Sequence, residues 1–335
     1  MKKISLSVFK KFNFTVLLTF LALYTIFITA NFFYYKNFQD CFWLKSIYQK
    51  KLEYSSSIKT PKLILLGGSN LLFSVKAQTL EEKLKMPVLN LGTHAGLGLI
   101  YILDKAKKEY IKPGDTVLLS IEYELYNKND KKSKVYNSYI VNYDKAYLNK
   151  LSIFDKSLTL FLDLSEISFK DFVKSLQQQY KFKKSGTKAL DYYIYNSENL
   201  DRNGDQLENI GHKKIGSDQL PRIKLHLTEK LDINTAPMKA LSNFLEWCKC
   251  NKVKVIYTYP TIPYYDKCNN SEFKVLQKDI KEYFTEKNIS ILDTSGVMYL
   301  KDQMFFDTIY HLNYEGRDIR TASVAKELEK MLLKK

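Results

Sequence analysis

Cysteine and histidine are both scarce, at four each in 335 residues. Cys41, Cys248, Cys250 and Cys268 do not give a zinc spacing, because such a site would need further Cys or His beside them. Cys268 with one of the Cys248/Cys250 pair permits a disulfide in an oxidising compartment, but inert free thiols fit the spacing as well. No metal and no other cofactor is implied. A nucleic-acid recognition motif is also missing. The formal net charge is +16, yet the lysines are scattered among Asp and Glu and form no stripe. A basic surface of this kind suits an anionic membrane or an acidic glycan, so nucleic acid is not expected as a partner.

Charge is absent from the twenty-four residues between Lys11 and Lys36. A bilayer-spanning helix needs about 20 apolar residues, and Phe14, Val16, Leu17, Leu18, Phe20, Leu21, Leu23, Ile26, Phe27 and Ile28 supply them. A cleaved signal peptide would share the basic start at Lys2, Lys3, Lys10 and Lys11. Its apolar core is shorter, at roughly 7–15 residues, and it ends in an Ala-x-Ala site that is lacking here. Residues 12–35 therefore read as an uncleaved anchor, with Phe32, Phe33, Tyr34, Tyr35 and Trp43 as an aromatic belt. Lys36, Lys45, Lys50 and Lys51 balance the lysines at the other end, so charge alone leaves the orientation open.

Residues 36–60 read as a polar stalk or short helix. Lys62-Leu-Ile-Leu-Leu-Gly67-Gly68-Ser69-Asn70 then reads as a strand buried on both faces, stopped by glycines that permit a sharp turn. Thr79-Leu-Glu-Glu82 has the spacing of a capping box opening a short helix. Val88-Leu-Asn90-Leu-Gly92 is a second strand, Leu99 to Tyr110 a helix, and Thr116 to Ile121 a third strand. Strand and helix in alternation with short connections imply a parallel sheet. Periodicity weakens from about 126 to 234, which reads as a mainly helical insertion. Within it Asp201-Arg-Asn203-Gly-Asp205 resembles a calcium loop, but Gln206 and His212 stand where Gly and Glu are required, so an exposed turn is expected. Helices at 237–250 and 272–287 and strands at 252–258 and 289–292 complete one split domain over 61–335.

Three residues together suggest chemistry. A serine hydroxyl becomes nucleophilic when a base takes its proton, and a carboxylate must hold that base in the right tautomer. Ser69 lies at the carboxyl end of a strand, where open α/β sheets place ligands. His311 is the base and Asp307, four residues earlier, its acid if the loop between them curls back. Taken alone, Ser69 or Asn70 reads equally as a helix cap, Asp307 as a cap and His311 as a loop histidine. His94, His212 and His226 lack a comparable acid, although His94 sits in a glycine loop next to the proposed site.

Gly67-Gly-Ser69 after the first strand, Asn90-Leu-Gly92 with Gly96 after the second, and Asp307 with His311-Leu-Asn313 resemble the SGNH, or GDSL-like, hydrolase superfamily. With the anchor they resemble its bacterial cell-surface branch associated with acyl esters on envelope polysaccharides. The resemblance covers residues 62–124 and about 236–330. It implies a three-layer, flavodoxin-like α/β fold with helices on both faces of a parallel sheet. It also implies Ser69 as nucleophile, His311 as base, Asp307 as acid, and an oxyanion hole from the Ser69 and Gly96 amides, with Gly92 as the alternative. Gly68, Asn70, Asn90, Glu122, Tyr123 and Asn313 would line the site. Two positions depart from the pattern: Gly68 replaces the usual Asp, and Glu122-Tyr123-Glu124 replaces Gly-x-Asn-Asp, so Tyr123 would have to stand in as a donor.

The resemblance implies a serine esterase or O-acyltransferase working through an acyl-serine, on acetyl or related esters of a cell-envelope glycan. Its partners would be an acylated glycan or acyl donor, the bacterial cytoplasmic membrane and, for a transferase, a membrane acyltransferase supplying activated acyl groups. The domain would lie outside the cytoplasm and residues 1–11 inside. The alternatives are an SGNH-fold envelope protein that binds glycan or a membrane partner without catalysis, and a lipid esterase.

Overall fold

The sheet is built outward from Leu63–Gly67 (β1), every residue of which is buried. Leu and Ile on both faces leave no solvated side, so the strand is stable only at the centre of a sheet with helices above and below. In the computed structural model it pairs in parallel with Val88–Asn90 (β2) on one edge and Thr116–Ser120 (β3) on the other. Lys254–Tyr257 (β4) and Ser290–Ile291 (β6) extend the same sheet, giving the order β2-β1-β3-β4-β6. Ile262–Pro263 (β5) and Tyr299–Leu300 (β7) form a separate parallel pair. The structure describes residues 6–37, 41–127, 133–156, 177, 180, 195, 197–213, 229–264 and 271–332.

Side-chain alternation assigns the two faces. Leu63, Leu65, Leu118 and Ile256 pack on one side with Leu80 and Leu84 of the helix Ala77–Leu84 (α4) and Val324, Ala325 and Leu328 of the helix Tyr314–Leu332 (α10). The helices Leu99–Glu109 (α5) and Ala236–Cys250 (α8) pack together and against β1 and β4. The helix Ser271–Glu286 (α9) lies beside β6. The strand order reverses between β1 and β3. Their carboxyl ends therefore flank the crevice where open α/β sheets bind ligands.

Two unit boundaries organise the chain: Met1–Phe42 with Lys132–Leu190, and Trp43–Lys131 with Asp191–Lys335. In the first, the helix Leu6–Asn37 (α1) carries Lys11–Ala30, with mean hydropathy 1.9 and none of it buried. Among the described residues this is the one helix long and apolar enough to cross a membrane. Its Thr15, Thr19, Thr25 and Thr29 hydroxyls each donate to the carbonyl four residues back, at 3.0, 2.9, 2.8 and 2.8 Å. Polar side chains satisfied within their own helix suit a lipid environment. The helix Lys134–Tyr143 (α6) packs against α1 and is followed by Lys145–Lys150 (α7).

Two sequence expectations change and two are narrowed. Of the two readings of 36–60, the short helix holds over Phe42–Ser57 (α2), which buries Trp43, Leu44, Ile47, Tyr48 and Lys51 at a helical period. Lys51 Nζ donates to the carbonyls of Asn90 and Gly92, both at 2.7 Å, tying α2 to the end of β2. Thr79 does not cap a helix: α4 starts at Ala77, its cap residue Lys76 makes no side-chain bond, and the Gln78 amide donates instead to Asp205 Oδ2 at 3.3 Å. The Asp201–Asp205 turn is not exposed, since Asn203, Asp205 and Gln206 are buried. It docks on the β2 edge, with Asn90 N donating to Asn203 O and Asn203 Nδ2 to Val88 O, each at 2.8 Å. The 126–234 insertion is helical in α6 and α7 but irregular over 197–213, and most of 157–194 and 214–228 lies outside the described residues. Cys268 does too, while Cys248 and Cys250 are free thiols and Cys41 Sγ donates to Val135 O at 3.6 Å.

Candidate active site

β1 ends in glycine because β3 lies too close for a side chain. A Cβ on Gly67 would sit 2.1 Å from the Ser120 carbonyl oxygen, and one on Gly68 would sit 2.3 Å from Glu122 Oε1. The chain turns there into a six-residue helix, Ser69–Ser74 (α3). Gly68 and Asn70 are buried and Ser69 between them is half-buried. So short a helix leaves most of its carbonyls without internal partners. Asn90 Nδ2 takes Leu71 O at 2.8 Å, Gln206 N takes Leu72 O at 3.2 Å, and Asn209 Nδ2 takes Phe73 O at 3.0 Å.

The far end of α3 holds the histidine. Ser74 Oγ donates to Tyr310 O at 2.9 Å and accepts from Leu312 N at 3.2 Å, so one hydroxyl pins the peptides on both sides of His311. Phe73 stacks on the imidazole with centroids 4.1 Å apart. Phe73 is one turn beyond Ser69, and a helical side chain leans toward the preceding turn. Five residues of helix rise about 7.5 Å, so α3 brings Ser69 and His311 to one locality. The Ser69 hydroxyl itself makes no hydrogen bond among the described residues, to His311 or to any other group.

Asp307 and His311 meet because the chain reverses between them. Phe305 bridges Leu312, Phe306 N donates to His311 O at 2.7 Å, and His311 Nδ1 lies 2.6 Å from Asp307 Oδ1. An ionised carboxylate only accepts, so a proton sits on Nδ1, and in the neutral imidazole Nε2 is then the acceptor. Burial pushes the Asp307 carboxyl up, but hydrogen bonding and charge from His311, the Tyr195 hydroxyl and the Lys213 ammonium outweigh it and hold it below its ordinary value. Tyr195 donates to Asp307 Oδ2 at 2.7 Å and lies 3.5 Å from His311 Nδ1. Its own phenol is raised, first by burial and then by the Asp307 charge.

The other expected lining residues mostly face inward. Gly92 N donates to Asn90 Oδ1 at 2.9 Å and Gly96 N to His94 Nδ1 at 2.8 Å, so both candidate oxyanion amides are already engaged. The Ser69 amide has no partner among the described residues and remains available. Asn70, fully buried, holds Ser120 O through Nδ2 at 3.1 Å and accepts from Ser120 Oγ at 3.0 Å. Asn90, also fully buried, reaches Asp205 Oδ1 at 2.8 Å. Asn313 caps α10, accepting from Gly316 N at 3.0 Å. Tyr123 is 3% exposed and its amide donates to Tyr310 Oη at 3.3 Å.

Glu122 turns toward the backbone: Oε2 accepts from Gly68 N at 3.2 Å and Oε1 from Asn70 N at 2.9 Å. Burial pushes its carboxyl up to about 7, the Asn70 amide opposing and the Glu124 charge adding to the rise. Arg320 reaches the same turn from α10. Its Nη1 donates to Asn70 O at 3.3 Å and its Nη2 to Ser120 Oγ at 3.2 Å and Tyr259 O at 3.1 Å. Burial lowers its guanidinium to about 10, with the Glu122 charge opposing that.

Phe73, Ser74, Tyr195 and Arg320 were not expected as parts of the site. Only Arg320 left a readable signal: with Arg317 it falls at helical spacing among Val324, Ala325 and Leu328, charge on an otherwise buried face. Among the described residues no cluster of metal-ligating side chains occurs.

No protein-family model matches this chain, and no curated protein matches it in sequence. A solved structure from Desulfitobacterium hafniense DCB-2, described as a "putative lipolytic protein of G-D-S-L family", aligns over 80% of this chain and 99% of that one. The identity is 12% and the TM-score 0.36, a likeness too distant to carry a functional assignment.

Proposed function

We propose that residues 61–335 form an SGNH-type serine esterase or O-acyltransferase that acts on acetyl or related esters of a cell-envelope polysaccharide. The observation that carries this reading is the Asp307–His311 pair at 2.6 Å, docked by Ser74 and Phe73 onto the helix that Ser69 begins. His311 Nε2 takes the Ser69 hydroxyl proton as Oγ bonds to the ester carbonyl carbon. The Ser69 amide donates to the oxyanion that forms. Collapse breaks the ester C–O bond, and the imidazolium returns its proton to the departing alkoxide, leaving acyl-Ser69. Water or a sugar hydroxyl then attacks that acyl group, with His311 again taking the proton. Asp307 stabilises the imidazolium in both halves, and Tyr195 holds the far oxygen of Asp307.

The membrane placement belongs to the same proposal. Lys11–Ala30 is the anchor, with the catalytic region outside the cytoplasm beside glycan and lipid-linked donors. A basic protein near an anionic surface fits the +16 charge.

The test is the rate of labelling by a fluorophosphonate probe in the wild type and in His311→Ala. Labelling at Ser69 that falls at least a hundredfold in the variant supports an activated serine. A folded wild type that does not label sinks the enzyme reading and favours a glycan-binding scaffold, which the missing Ser69–His311 hydrogen bond would suit.

A further inference from the structure

Glu122 is an ionisable side chain, fully buried, with both carboxyl oxygens on backbone amides. Its two oxygens take the amides immediately before and immediately after Ser69, and neither oxygen takes the Ser69 amide itself. Its carboxylate also fills the space that a side chain at position 68 would need, with both oxygens 2.6 Å or less from a Cβ built on Gly68. On the opposite side of the turn Arg320 takes the Asn70 carbonyl, and Asn70 is locked to Ser120. The turn is therefore gripped by an acid through its N–H groups and by a base through its C=O group.

We propose that Glu122 is the positioning residue of the nucleophile turn, holding the Gly68 and Asn70 amides so that the Ser69 amide and hydroxyl alone stay available to an incoming ester. This deepens the acyl-serine reading and rests on it. A carboxylate can accept two N–H groups at once, whereas a carboxamide accepts through one oxygen and turns an NH2 toward the other amide. A donor facing a donor in a buried site is strongly unfavourable. The turn relieves it by rotating the peptide on one side of Ser69, and the oxyanion donor moves with that peptide. Displacements of about 1 Å at a reacting centre cost on the order of a hundredfold in rate. Arg320, whose guanidinium is lowered by burial and held up by the Glu122 charge, fixes the turn from its other end through the Asn70 carbonyl.

The experiment compares wild type, Glu122→Gln and Glu122→Asp on 4-nitrophenyl acetate, with kcat normalised to Ser69 titratable by fluorophosphonate. Glu122→Gln is expected to lose ten- to a hundredfold in kcat with KM changed less than threefold. Glu122→Asp keeps the charge but has a shorter reach, and is expected to lose less. A purely structural role would lower the titratable fraction and the melting temperature while leaving kcat per titrated site unchanged, and that result overturns the proposal.

A second measurement needs no variant. Residue-resolved amide hydrogen exchange in the wild type should show Gly68 and Asn70 at least tenfold slower than Ser69; equal protection at all three overturns the proposal even where a variant fails to fold. A wild type that does not label at Ser69 refutes the acyl-serine reading instead. Labelling that proceeds equally fast in Glu122→Gln refutes only the role of Glu122.

Discussion

Replacing Asp307 by Asn keeps the shape and removes the charge that the imidazole needs. In the wild type Asp307 Oδ1 takes the His311 Nδ1 proton at 2.6 Å and Oδ2 takes the Tyr195 hydroxyl at 2.7 Å. Asn has one acceptor for those two donors. If its oxygen stays with Tyr195, its NH2 faces Nδ1, the ring proton moves to Nε2, and the base can no longer receive the Ser69 proton. A wrong tautomer of this kind costs roughly 10⁴ in kcat. If the oxygen instead stays with His311, the tautomer survives but the imidazolium loses its carboxylate. A charge-assisted bond is worth about 1.5–3 kcal/mol against about 1 for a neutral one, a loss of about tenfold, and the unfavourable Tyr195 contact adds to it.

The expected loss in kcat is therefore between about tenfold and 10⁴-fold, with KM nearly unchanged because Asp307 does not reach substrate. Steady-state hydrolysis of 4-nitrophenyl acetate measures it. Asp307→Asn combined with His311→Ala should be no slower than His311→Ala alone, since the two act as a unit. An Asp307→Asn enzyme within threefold of wild type, or a double variant slower than both singles by the product of their losses, would refute the dyad.

Other outcomes follow from buried charge. Lys62 and Asp115 pair at 2.7 Å with side chains 1% and 2% exposed, and Asp115 also accepts from the Lys62 and Lys112 amides. Asp115→Ala leaves the ammonium buried alone and should cost about 3–5 kcal/mol in urea unfolding; a loss under 1 kcal/mol contradicts the pairing. Glu122 is raised to about 7 by burial, above its unfolded value, so between about 4.5 and 7 the native state binds the extra proton and stability falls as pH rises. That interval is worth roughly 3 kcal/mol, so the drop in unfolding free energy from pH 4 to pH 8 should shrink by about that much in Glu122→Gln. Identical drops would show that Glu122 does not titrate this way. Cys250 is an exposed thiol whereas Cys41 and Cys248 are buried. With Cys268 replaced by Ser, a membrane-impermeant maleimide should label Cys250 in intact spheroplasts, and labelling only after lysis would place the domain inside.

The sheet was readable in the sequence because its strands advertise themselves. Leu63–Leu66 and Val117–Leu119 are apolar at every position, and buried strands of that kind leave little choice of partner or face. The Asp307–His311 pair was readable because both members lie in one short loop. What the sequence hid was contact between distant segments. Nothing in Tyr192-Tyr-Ile-Tyr195 marks its last residue as the partner of Asp307, 112 positions away. Gly92 and Gly96 look like oxyanion amides by position, but local bonds to Asn90 and His94 engage them, and such bonds depend on side-chain rotamers rather than spacing. The Asp201–Asp205 turn reads as exposed from its polarity, yet its polar groups are buried because the unpaired edge of β2 offers them partners. Glu122 reads as a substrate contact until its oxygens are found on the amides beside Ser69.

The most direct measurement is intact-protein and peptide mass spectrometry after brief incubation with an activated acetyl ester, comparing wild type with Ser69→Ala. The account predicts one acetyl group on Ser69 in the wild type, absent from Ser69→Ala and depleted by a glycan acceptor. A folded wild type that takes up no acetyl group at Ser69, under conditions where the ester is consumed elsewhere or not at all, would contradict it.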